Sequence, residues 1–72
     1  MKKYIEQIEA PSWLINQKVE EVYEENHFMI HGDLDKVLEK ETEKAYLIGF
    51  VTDFGVIGVW FPKSLTNLVF EK

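Results

Sequence analysis

The chain has 72 residues, neither cysteine nor arginine, and 13 acidic against 8 basic side chains, for a net charge of −5. No disulfide or thiolate metal site can staple it, and it lacks the guanidinium that nucleic-acid binders use to read phosphates and guanines. Hydrophobic residues make up 46% and aromatics 14%, ample for one folded domain spanning 1–72, although a chain this short buries only about 60% of its unfolded surface.

Residues 2–10 carry Tyr4, Ile5 and Ile8 at a weak helical spacing that a short strand also fits. Pro11 closes the segment, because proline disfavours helical geometry in the residue before it. Ser12 is then placed to cap a helix by accepting from the free amides of its first turn. Ile15, Val19, Val22 and Tyr23 follow at i, i+4, i+7 and i+8, one face of a helix running to about residue 25. Glu20, Glu21 and Glu24 lie on the opposite face, and Asn26 is a C-terminal stop.

His27 to His31 reads as a short strand ended by Gly32 and Asp33. Leu34 to Leu38 fits one helical turn or the start of a strand. Residues 39–44 form a charged connector or an exposed strand entry. The two strongest strands come next, over about 44–51 and 56–61. They are joined by Thr52-Asp53-Phe54-Gly55, a hairpin loop in which Gly55 is free to take positive φ. Both strands are apolar on both faces. Such strands are normally central, covered by a helix on one side and by a rolled sheet or a partner on the other. Pro62 ends the second strand, Lys63 to Leu65 turns, and Asn67 to Phe70 makes a final edge strand. The expected fold is α+β: one N-terminal helix packed on a small, strongly bent antiparallel β-sheet of three to five strands.

No span suits a bilayer. The apolar run 45–61 is interrupted by Gly49, Thr52, Asp53, Gly55 and Gly58, short of the roughly 20 residues a spanning helix needs. Glu6 and Glu9 stand where a signal peptide needs an unbroken apolar stretch. The expected location is therefore the cytoplasm.

Glu41-Thr42-Glu43-Lys44-Ala45-Tyr46-Leu47-Ile48, followed after a turn by Val59-Trp60-Phe61-Pro62-Lys63-Ser64, resembles a pattern in small uncharacterised proteins of bacteriophages and mobile elements. The likeness covers about residues 37–70. It implies a small β-rich phage module in the host bacterial cell and carries over no catalytic residues. It also favours inhibition of a host or defence protein by binding. An aromatic at the hairpin tip, Phe54, departs from the polar residue such a turn would ordinarily hold.

Glu20, Glu21, Glu24 and Glu25 form a dense acidic patch. Two like-charge i,i+4 pairs there cost a few tenths of a kcal/mol each. Such a patch could meet a basic cleft; the plainer reading is a solvated face that keeps the domain soluble. Trp13, Phe54, Trp60 and Phe61 are the aromatics expected to reach the surface, where such side chains can anchor a partner; the competing reading is that they close an undersized core. His27 and His31 would lie about 13 Å apart on a strand, too far to share a metal. Thr42, Ser64 and Thr66 lack a base and orienting acid at recognisable spacing, and the glycines form no phosphate loop.

The expectation is a non-catalytic protein-binding module without metal or cofactor, whose partner-binding residues are Glu20, Glu21, Glu24, Glu25, Trp13, Phe54 and Trp60. Two alternatives stand beside it. One is single-stranded nucleic-acid binding through sheet aromatics with Lys36, Lys40, Lys44 and Lys63. The other is a structural subunit that dimerises through a hairpin face or the Asn67–Phe70 edge.

Overall fold

A computed structural model describes residues 3–72. The chain runs β1 (Lys3–Glu9), α1 (Ser12–Asn26), β2 (Lys36–Glu41), β3 (Ala45–Thr52), β4 (Gly55–Pro62), a single 3-10 turn (Lys63–Leu65) and β5 (Asn67–Phe70). The strands form one sheet in the order β4-β3-β2-β1-β5, every neighbouring pair antiparallel. The fold is α+β, with one helix on one face of an open five-stranded sheet. No helix among the described residues is long and apolar enough to cross a membrane.

A strand precedes the helix, so the expected order of helix first is corrected. β1 also explains the ambiguous spacing at the start of the chain. Ile5 and Ile8 would point to opposite faces of a regular strand. The register of β1 against β5 shifts between Ile5 and Gln7, and such a bulge resets the alternation. Ile5 is buried and Ile8 packs against the same core. A second irregularity lies between Leu38 and Lys40 in the β2–β3 ladder.

The helix occupies nearly the expected span, with a different start. Ser12 is already helical, Pro11 holds the capping position at φ −59° and ψ 145°, and no side chain caps the first turn. The Pro11 carbonyl instead accepts from Leu14 and Ile15 at 3.0 and 3.1 Å. The buried face is rotated from the expected one: Leu14 and Val22 are buried, Ile15 and Val19 pack beside them, and Tyr23 is exposed. At the other end His27 takes the left-handed conformation (φ 54°) and donates its N–H to the Tyr23 carbonyl at 2.8 Å.

The strand expected over 27–31 is absent; this segment is a loop in which Ile30 is buried and Met29 exposed. A strand needs a neighbour to pair with. The positions beside β1 are already taken by β2 and β5. The ambiguous stretch 34–38 resolves as the start of β2.

The hairpin strands extend one residue beyond expectation at the turn, and their ladder runs without a break from Thr52↔Gly55 to Ala45↔Pro62. Gly55 has φ +123°, as the turn requires of a residue without Cβ. Tyr46, Ile48 and Phe50 of β3, with Ile57, Val59 and Phe61 of β4, face the helix and belong to or border the core. Three expectations about the hairpin are corrected. β4 is an edge strand rather than a central one, and no element among the described residues covers the second face of the sheet. Phe61, expected to reach the surface, is 2% exposed, because alternation along β4 turns it to the helix side.

Candidate partner-binding surfaces

The second face can be read from the ladder. Alternation puts Leu47, Gly49 and Val51 of β3, and Val56, Gly58 and Trp60 of β4, opposite the core residues. Across the strands these make a row Tyr4–Val37–Gly49–Gly58, a row Lys40–Leu47–Trp60, and the pair Val51–Val56. The two glycines leave room that their neighbours fill. A Cβ at Gly49 would stand 2.7 Å from Val56 Cγ1 and 2.8 Å from Glu39 Cγ, so both side chains already lie over that glycine. Leu47 leans over Gly58 in the same way, 3.2 Å from where a Cβ would be.

The result is an apolar surface. Val37 is buried beneath it, while Tyr4 (49%), Val56 (51%), Trp60 (43%) and Val51 (38%) keep large exposed fractions. Two half-exposed aromatics beside two half-exposed valines form a contiguous group, and contiguous rather than scattered apolar exposure is what marks interaction sites. Glu39 and Lys40 are its polar members.

The residues expected to bind a partner fall on different sides of the molecule. Glu20, Glu21, Glu24 and Glu25 are exposed on α1, with Glu21 paired to Lys18 at 3.5 Å. Trp13 (59% exposed) begins the helix, and Trp60 lies across the sheet from it. Phe54, 91% exposed at the hairpin tip, borders a fissure of about 270 Å³ shared with Asn26, His27 and Phe28 at the helix C-terminus. The structure thus brings Phe54 toward the acidic end of the helix and separates Trp60 from both. Sequence reasoning missed Tyr4, Val51 and Val56. Their signal was present in the two-faced apolarity of the hairpin.

The four lysines of the nucleic-acid alternative are not brought onto one surface. Lys36 is 6% exposed, its Nζ donating to the carbonyls of Gly32 and Leu34 at 2.7 and 3.0 Å. Lys63 is held by Glu41 at 2.5 Å and lies 5.1 Å from the Tyr46 ring centre. Lys40 and Lys44 are exposed. Among the described residues no three of His, Asp and Glu converge as a metal site. A second fissure, about 260 Å³, separates the helix from β1; Phe50 and Phe61 line it along with Glu6, Lys18 and Lys36.

Compared with protein families, curated proteins and solved structures, the chain matches none.

Proposed function

We propose that this chain is a non-catalytic protein-binding module that docks a bacterial protein on the open face of its sheet. One observation carries the reading: an apolar face with Trp60, Tyr4, Val51 and Val56 exposed, on a sheet whose other face carries the helix and the core. Exposed aromatics within an apolar patch are the residues on which binding energy concentrates. The resemblance of residues 37–70 to small phage and mobile-element proteins supports such an origin and a host or defence protein as the target. The module acts by occupying a surface of that target, which makes it an inhibitor or modulator.

The nucleic-acid alternative has less support, because Lys36 and Lys63 are already engaged within the fold. The carboxylates of α1 face away from the docking surface and serve solubility.

The test is retention of a bacterial protein by the immobilised chain, repeated with a variant carrying both Trp60→Ser and Val56→Ser. Loss of a central tryptophan contact of about 2 kcal/mol weakens binding roughly 30-fold. Capture that survives both substitutions in a chain that still melts cooperatively would overturn the docking surface.

A further inference from the structure

The two edges of the sheet differ in how they are protected. β5 has four residues, pairs across the bulge in β1, and is followed directly by Glu71 and Lys72; Lys3 Nζ stands 5.6 Å from the Phe70 ring centre. Shortness, irregularity and nearby charge are the ordinary means of keeping an edge from pairing. β4 has none of them. It runs eight residues, Gly55–Pro62, in unbroken register with β3, carries no charged side chain, and has proline only at its last position.

Two backbone hydrogen bonds fix which groups of β4 are free. The Val51 N–H donates to the Asp35 carbonyl at 2.9 Å, away from β4. Opposed residues of an antiparallel ladder alternate between bonded and non-bonded pairs. Val51↔Val56, Gly49↔Gly58 and Leu47↔Trp60 are therefore non-bonded pairs. The Lys63 N–H donates to the Lys44 carbonyl at 2.8 Å, one step beyond Ala45↔Pro62, and gives the same alternation from the other end. So the N–H and C=O groups of Val56, Gly58 and Trp60 point to the free edge, where no strand lies among the described residues. The next outward position is Pro62, which has no N–H to offer.

This row is its own complement. We infer that β4 pairs antiparallel with β4 of a second copy, about a two-fold axis at Gly58. In that register Gly58 stands opposite its copy, and Val56 stands opposite Trp60 in both directions. Each residue exchanges both of its backbone groups, which is the isologous arrangement a two-fold requires. On the open face the aromatic of one chain meets the β-branched side chain of the other, a favourable cross-strand pair. On the helix side Ile57 meets Val59 and the two cores become continuous. A second copy fits this edge better than a charged peptide, because the uncharged strand offers no ion pair to select one. Self-association goes beyond the binding reading above and does not depend on it; pairing would extend the open face across both chains.

The register makes a charge-swap test available. Gly58 is exposed, and a Cβ there meets only the movable Leu47 methyl. Sedimentation of the purified chain, without any partner protein, should show a concentration-dependent shift toward twice 8.5 kDa. G58K alone and G58E alone each set like charges directly opposite at the axis, about 5.5 Å apart between Cα atoms. Each should weaken dimerisation by up to about fivefold. An equal mixture of G58K and G58E should restore it, a result that misfolding of either variant cannot produce. A wild-type chain that remains at 8.5 kDa up to about 1 mM overturns the inference. So does dimerisation unchanged in either variant alone, or a mixture that associates no better than its components.

Discussion

Lys36 stands at the second-strand boundary, one of several lysines scattered through the sequence, and its environment gives it a structural task. Its stem lies among core residues, and its ammonium ties down the carbonyls of Gly32 and Leu34 in the loop that leads into β2. Bonds from a charged donor are each worth about 1.5–3 kcal/mol. Lys36→Met keeps the packing of the stem and removes only the ammonium. We expect it to lower stability by about 1–3 kcal/mol in chemical denaturation. Wild-type stability in that variant would mean the loop is held by other contacts. The sequence offered no sign of this burial, because a lysine at a strand boundary is ordinarily solvated. His27 is similar: its left-handed φ follows from the end of the helix, and one position earlier Asn26, a more usual residue for that conformation, is still helical.

β1 shows how an element can be ambiguous in sequence for a definite reason. The bulge between Ile5 and Gln7 converts an i,i+3 spacing into two side chains on one face, so the periodicity matches neither a regular helix nor a regular strand. The β3–β4 hairpin was legible because its turn residues and apolar period agree. Within it the two glycines have different surroundings, and this gives a contrast that measurement can resolve. Gly49 is buried, and a new methyl meets the branched Val56 side chain and the Glu39 stem at under 3 Å. Gly49→Ala should cost about 1–3 kcal/mol, the usual cost of overpacking. Gly58→Ala meets one leucine methyl and gains from a less flexible unfolded chain, so its stability should stay within about 0.5 kcal/mol of wild type. Equal effects at the two sites would contradict the arrangement of side chains on the open face. The same pair of thermal melts therefore checks the face on which the proposed docking depends.

For the whole molecule the question is how two kinds of surface divide the work. The acidic side of α1 and the apolar side of the sheet are opposite one another, so a single partner of ordinary size does not cover both. Converting Glu20, Glu21, Glu24 and Glu25 to glutamine removes four negative charges from a net −5. It also relieves the two i,i+4 repulsions, each worth a few tenths of a kcal/mol. We expect the quadruple variant to be as stable as the wild type or slightly more so, less soluble near neutral pH, and within about twofold of wild type in equilibrium capture of its partner, because exposed charges act mainly on encounter. Capture reduced tenfold or more would move the docking site to the helix and join Phe54, at the same end, to it.

Local chemistry was enough to set the helix, the hairpin, its turn, the final edge strand and the α+β class. Each of these depends on residues within a few positions of one another, where period, turn preference and proline act directly. The strand order, the exposed second face, the burial of Lys36 and the free edge of β4 were decided only in the tertiary structure. They follow from long-range pairings, β1 with β5 and with β2, and β2 with β3, contacts that no local pattern encodes. Those pairings close one side of the sheet and leave the hairpin, apolar on both faces, at the other with one face and one edge uncovered.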